Sequence, residues 1–265
     1  MRLDTGKLFY KGFRHNRLGL RLNLQKYKFM KVAILGAMDE EITLIRDSLQ
    51  NCQEHNYNHL TAYVGLIGNV QVSLVKCGIG KVAAAVSTVA VINHFNPDYV
   101  INTGSAGGFL AHLNIGDIVI GTSLRHHDAD LTHFGYELGQ NAGMPAGFSA
   151  DQTLINCATK AINQLPEIQV EQGLICTGDS FVGSDEAAEV IRKNFPSVCA
   201  VEMEGVAIAQ TCFLLETPFL VIRSLSDIAG KTSTVSFQTY LEQAAKNSAQ
   251  LVMQTIVELA ETSNV

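Results

Sequence analysis

The chain has no tryptophan and only five prolines in 265 residues. Proline scarcity goes with the absence of any low-complexity linker or internal repeat, so composition gives no reason to cut the chain into modules. No apolar run approaches the ~18 residues of a membrane span, and no secretory h-region precedes the first strand pattern. The six cysteines, at positions 52, 77, 157, 176, 199 and 212, never fall in a CxxC spacing. They read as small apolar side chains in a reducing, cytoplasmic compartment rather than as disulfides or a zinc site. Positive charge is also scarce outside one stretch. Residues 1–29 hold eight of the 19 Lys and Arg and one of the 25 acids, leaving 11 basic and 24 acidic residues beyond them. An acidic body of this kind argues against nucleic acid as the main partner.

Residues 1–29 mix basic, aromatic and leucine residues without a period and contain no serine. Three readings stand: translated upstream sequence with Met30 as the natural start, an organelle transit peptide, or a basic arm. Transit peptides are serine-rich, so the first reading is preferred. The leader is expected to lie outside the fold, with a single domain over residues 30–265.

From Met30 onward, strand and helix patterns alternate. Strands are expected at 31–35, 98–102, 115–121, 171–176, 197–201 and 219–222, with a hairpin of 60–67 and 70–76 around Gly68-Asn69. Helices are expected at 40–49, 81–94, 154–165, 185–194, 204–215 and 237–261, while 122–150 reads as irregular. Such alternation predicts helices on both sides of a mostly parallel sheet.

Polar groups gather where these elements end. The run 219–222 is apolar and β-branched or aromatic throughout, as in a strand buried on both faces. Its carboxyl end carries Arg223, Ser226 and Asp227, at the rim where open α/β sheets bind ligands. Asp227 reads equally as an acid oriented by Ser226 and as a helix N-cap. GAMDEE at 36–41 closes the first strand, and its acids could simply favour a helix dipole. CGIGKVA at 77–83 matches a GxGxxA nucleotide loop, but no acid closes the next strand to hold a ribose. Gly104-Ser105-Ala106-Gly107-Gly108 would let backbone amides approach a ligand closely. His126, His127, Asp128, Asp130 and His133 invite a metal, yet their spacing matches no helical ligand pair, and a hydrogen-bonded polar loop is the better reading. In VEMEG at 201–205, strand alternation would aim Glu202 and Glu204 one way and Met203 the other. A carboxylate there could accept both hydroxyls of a ribose diol, and a buried one needs a partner.

Taken in order, GAMDEE (36–41), CGIGK (77–81), NTGSAGG (102–108), HDADLTHFGYE (127–137), TGDSF (177–181), AVEMEG (200–205) and RSLSD (223–227) form one pattern. It resembles the bacterial 5′-methylthioadenosine/S-adenosylhomocysteine nucleosidases, of the nucleoside phosphorylase superfamily, over about residues 30–260. The resemblance implies a three-layer αβα sandwich with a mixed central sheet, a homodimer, and no metal or cofactor. The implied reaction is hydrolysis of the adenine N-glycosidic bond of methylthioadenosine, S-adenosylhomocysteine and 5′-deoxyadenosine, in methionine salvage and S-adenosylmethionine recycling.

Carried over by motif, Glu41 would activate the attacking water. Asp227, held by Ser226, would protonate adenine N7. Glu204, with Met203 and Arg223 nearby, would bind the ribose, and Ser105 and Gly107 would line the same pocket. Phe181 and Val182 would hold the adenine, and Ile79 and Phe237 would belong to the apolar wall. Leu131 and Phe134 would come from the second subunit. Asp39, Gly205 and Cys77 depart from the family pattern without touching these roles.

The chemistry fits independently. Adenine leaves poorly as an anion, so N7 needs a proton as the bond stretches, and desolvation would raise an Asp towards neutrality for that task. The rival within the fold, a phosphate-dependent purine nucleoside phosphorylase, needs cations or a free nest of amides near the nucleophile, whereas 39–41 is acidic. A non-catalytic nucleoside-binding module would need no acid at both stations.

Overall fold

The computed structural model describes residues 30–57, 60–229 and 233–262, so the expectations for residues 1–29 lie outside the described residues. The chain begins with β1 (Lys31–Gly36), α1 (Asp39–Ser48), β2 (Gln50–Tyr57), β3 (Leu60–Ile67), β4 (Val70–Lys76) and α2 (Lys81–Phe95). It continues through β5 (Tyr99–Gly108), β6 (Ile118–His126), β7 (Phe148–Ser149), α3 (Gln152–Ala161), β8 (Val170–Thr177) and α4 (Asp185–Asn194). The last elements are β9 (Val198–Glu202), α5 (Gly205–Leu214), β10 (Phe219–Ile228) and α6 (Ser233–Thr262).

The strands form one mixed sheet in the order β10-β6-β8-β9-β5-β1-β4-β3-β2, and β10 also pairs with β5. That second pairing closes β5, β10, β6, β8 and β9 into a ring, with β1, β4, β3 and β2 as a wing beside it. Pairing of β1 with β4 and β5, and of β10 with β5, is parallel; β10 with β6 and β5 with β9 is antiparallel.

Helices cover both faces because the central strands carry buried apolar side chains on each of them. On β1, Val32 and Ile34 join a core with α1, α3 and α6, while Ala33 and Leu35 join another with α2 and α5. β10 repeats the division, with Leu220 and Ile222 on the first side and Phe219 and Val221 on the second. A smaller core under α4 is built from Ala188, Ile191, Val198 and Val201. Each buried Val, Leu or Ile contributes roughly 1.5–3 kcal/mol, so these layers fix the strand ends firmly.

Several boundaries differ from the sequence reading. β2 was not expected: its QNCQEHNY side chains are all exposed, and only its pairing with β3 makes it a strand. Residues 122–126, read as irregular, continue β6 because pairing with β8 resumes at Ser123 after a register shift and runs on to His126. The glycine run 104–108, beyond the expected strand end at 102, continues that strand and is held by β10. α6 begins at Ser233 rather than near 237. Five cysteines are buried as expected, and Cys52 is exposed on β2. Among the described residues, no helix is long and apolar enough to cross a membrane.

Candidate active site

The first carboxylate arises where β1 turns into α1. Glu41, in the first turn of α1, reaches back so that its Oε2 accepts the N–H groups of Ala37 and Met38 at 2.7 and 3.2 Å. Its Oε1 accepts the Ser105 N–H at 2.9 Å and the Ser105 hydroxyl at 3.1 Å. The side chain thus caps its own helix and also faces a cavity, so the helix-terminal reading does not exclude the functional one. Asp39 instead turns outward and pairs with Lys76 at 2.8 Å. Gly104 makes room for this arrangement: a Cβ there would overlap Arg223 Nη1 and lie 2.6 Å from Glu41 Oε1.

The second carboxylate depends on a bulge. Opposite β5, the register of β10 shifts between Leu225 and Asp227. A regular strand would send neighbouring side chains to opposite faces, yet Ser226 and Asp227 both line the cavity. The Ser226 hydroxyl donates to Asp227 Oδ1 at 3.0 Å, as the sequence reading expected. Because β10 runs on to Ile228 and α6 begins only at Ser233, Asp227 is not that helix's N-cap. A Cβ on Gly107 would lie 3.2 Å from Asp227 Oδ2, so the glycine leaves the acid uncrowded.

Between these stations lies a charged group buried at the end of β9. Glu202, rather than Glu204, is the close partner of Arg223. Glu202 Oε2 also accepts the N–H groups of Glu204 and Gly205 at 2.9 and 2.6 Å, and its Oε1 accepts the Thr177 hydroxyl. Arg223 is fully buried and reaches Glu204 only at 3.5 Å, donating besides to Asn102 Oδ1 at 2.6 Å and the Thr103 carbonyl at 3.2 Å. Burial pushes the Glu204 carboxyl up to about 7, opposed by Arg223 and reinforced by Glu202. For Arg223, burial works to lower the pKa, but Glu202, Glu204 and Glu41 outweigh it and the net shift is upward.

Glu204 Oε1 accepts the Gly80 N–H at 2.9 Å, and Asp179 Oδ1 accepts the Lys81 N–H at 2.8 Å. The amides of the GxGxxA match are therefore taken by the protein's own carboxylates. Met203 lines the cavity together with both glutamates, because the two-residue period stops where β9 ends at Glu202.

These groups enclose a cavity of about 200 Å³. Its remaining wall is apolar: Phe181 and Phe237 meet edge to face with centroids 5.8 Å apart, and Ile79 and Val182 complete it. The structure thus gathers Glu41, Asp227, Glu204, Ser105, Gly107, Met203 and Ser226 with these four residues. Arg223 lies behind the cavity, not in its lining. Leu131 and Phe134 are also outside it, in and beside a short turn (Thr132–Phe134), with Phe134 78% exposed.

The His/Asp cluster disperses among separate partners. His126 bonds with Gln210 and Asn141, Asp128 with Lys81, and Asp130 with Thr132. Burial lowers the pKa values of His126 and His127. Sequence reasoning assigned no role to Ser180 or to the Ala37–Met38 backbone, which also face the cavity. It named Glu202 without assigning it to Arg223, although a buried Arg beside two buried acids was the available signal.

The description of the phosphorylase superfamily matches residues 31–257. A Geobacillus sp. (strain WCH70) protein named 5′-methylthioadenosine/S-adenosylhomocysteine nucleosidase is 51% identical over 230 residues, 87% of this chain and 99% of the relative. The solved structure of such a nucleosidase from Colwellia psychrerythraea 34H, in complex with adenine, has a TM-score of 0.86 at 48% identity, covering 88% of this chain and 96% of that one. The Neisseria meningitidis nucleosidase, in complex with methylthio-immucillin-A, has a TM-score of 0.85 at 47% identity, covering 86% and 99%. With a family match over nearly all of the described fold and relatives this similar over their full length, the chain belongs to the phosphorylase superfamily.

Proposed function

We propose that this protein hydrolyses the N-glycosidic bond of 5′-methylthioadenosine and S-adenosylhomocysteine, and also of 5′-deoxyadenosine, releasing adenine. The observation that carries the reading is one cavity with carboxylates at three separate stations: Glu41 at the start of α1, Glu204 after β9 and Asp227 in the bulge of β10. Among the described residues that line it there is no lysine or arginine. The guanidinium behind it, that of Arg223, is committed to Glu202, Asn102 and the Thr103 carbonyl. A phosphate nucleophile would meet acid without a compensating cation, which favours water over phosphate.

Each station has a task. Asp227, oriented by Ser226, delivers a proton to adenine N7, so the base leaves neutral as the C1′–N9 bond breaks. The electron pair of that bond stays with the purine, and the sugar takes on oxocarbenium character. Glu204 accepts hydrogen bonds from the ribose hydroxyls. Glu41 takes a proton from a water that adds to C1′, and Ser105 Oγ beside Oε1 helps to hold that water. Phe181, Val182, Ile79 and Phe237 exclude solvent around the base.

The proposal includes a homodimer in which Leu131 and Phe134 reach the partner's site. It is supported by the exposure of Phe134 and by a groove between α2 and α5 lined with Val82, Val86 and Leu214.

The variant Asp227→Asn fills the same volume but cannot donate the proton. Its kcat for methylthioadenosine is expected below a tenth of wild type, with an unchanged melting temperature. A variant that keeps a tenth or more would remove Asp227 from the role of acid.

A further inference from the structure

One fully buried hydroxyl outside the cavity is built into the support of the proposed base. Ser248 sits on α6 about three turns beyond Phe237, so both occupy the same helix face. Its Oγ lies 2.8 Å from Thr103 Oγ1, receives the Gly104 N–H at 3.2 Å and donates to the Ile222 carbonyl at 3.1 Å. One proton arrangement satisfies all three contacts. Ile222 O can only accept, so the single Ser248 proton goes to it, and the Thr103 hydroxyl donates to Ser248.

The consequence lies in the peptide unit joining Thr103 to Gly104. Its carbonyl accepts from Arg223 Nη1 at 3.2 Å, while its N–H, on the opposite edge of the same plane, donates to Ser248. A trans peptide is planar, so holding both edges prevents rotation of the plane. The next N–H along the chain, that of Ser105, donates to Glu41 Oε1. Gly104 has φ +154 and no side chain of its own to hold it in place. Arg223 continues the connection to Glu202 and Glu204.

We infer that Ser248 is a positioning residue: by clamping the Thr103–Gly104 peptide, whose other edge Arg223 holds, it fixes the Ser105 N–H against Glu41 and so aims Glu41 at the reacting sugar. The inference rests on the nucleosidase reading above. It also explains why α6 bears on the chemistry at two points, through the Phe237 ring in the cavity wall and through a hydroxyl beneath the floor.

The test uses the full chain with three variants. Ser248→Ala is expected to lower kcat for methylthioadenosine by roughly ten- to a hundredfold, the order that a misplacement of about 1 Å produces. Its KM and its Kd for adenine should stay within about threefold of wild type, since the clamp does not touch the base pocket. Thr255→Ala removes another buried hydroxyl of α6, one that donates only to Leu251 O within the helix. It should lower the melting temperature while leaving kcat within about threefold. Ser248→Cys keeps a weaker donor and acceptor and should give an intermediate kcat; it carries the test if the alanine variant does not fold. A Ser248 variant with kcat within threefold of wild type would overturn the inference, as would Thr255→Ala losing kcat to the same extent. Wild type that releases no adenine would overturn the nucleosidase reading and this inference with it, whereas active wild type beside an unimpaired Ser248→Ala overturns the inference alone.

Discussion

Glu204 has two jobs that pull on one carboxylate. Its Oε1 accepts the Gly80 N–H, while burial favours the neutral acid and holds its pKa up to about 7, against an ordinary value of 4.5. Between those two values the folded protein binds more protons at this position than the unfolded chain does. The contribution of Glu204 to stability is therefore full below 4.5 and is lost as the pH rises to about 7. Glu204→Gln is always neutral and lacks that dependence. Melting curves of wild type and Glu204→Gln without ligand should accordingly diverge across this window, with wild type losing ground as the pH rises. Parallel curves would mean that the carboxylate is ionised throughout. The residue scale was also the most legible from the sequence, because motif order alone brought Glu41, Glu204 and Asp227 forward. Less visible was how each is held. Nothing local says that Glu41 Oε1 would rest on Ser105, 64 positions away, or that Glu202 would take Arg223 and leave Glu204 at 3.5 Å.

Among the elements, those with an apolar period were legible and those defined by their neighbours were not. β1 and β10 show themselves as apolar runs because both faces are buried, and α3 and α4 through amphipathic spacing. β2 has no such signal, since its strand character lies wholly in backbone bonds to β3. The strand was expected to stop before the glycines of 104–108, yet small residues are what the close pairing with β10 demands: a Cβ on Gly108 would lie 2.6 Å from Leu225. The bulge at Ser226 escaped detection for a related reason. It is a mismatch between two strands more than a hundred residues apart in the chain, and it alone lets Ser226 and Asp227 share one cavity.

At the scale of the molecule, the apolar surface left on α2, α5 and the turn after Leu131 is what supports the proposed dimer. Val82 is 75% and Leu214 56% exposed, and together with Val86 they line one groove rather than standing as scattered single residues. In the proposed assembly Phe134 covers the 5′-substituent of the partner's substrate, and burying a Phe is worth about 1.5–3 kcal/mol. Phe134→Ala should then lower kcat/KM for methylthioadenosine by roughly ten- to a hundredfold. Adenosine, with only a hydroxyl at that carbon, should lose much less. Equal losses on both substrates, together with a lower melting temperature, would place the ring within its own subunit.

The same scale decides between water and phosphate, because the answer depends on the charge of the whole cavity. Carboxylates at three stations and a guanidinium already committed elsewhere leave, among the described residues that line the cavity, no cation for a phosphate nucleophile. The measurement is adenine release from methylthioadenosine by the purified chain, in phosphate-free buffer and again with phosphate added. The expected result is the same rate in both, with free methylthioribose as the sugar product. Release that requires phosphate and yields a ribose 1-phosphate would contradict the account.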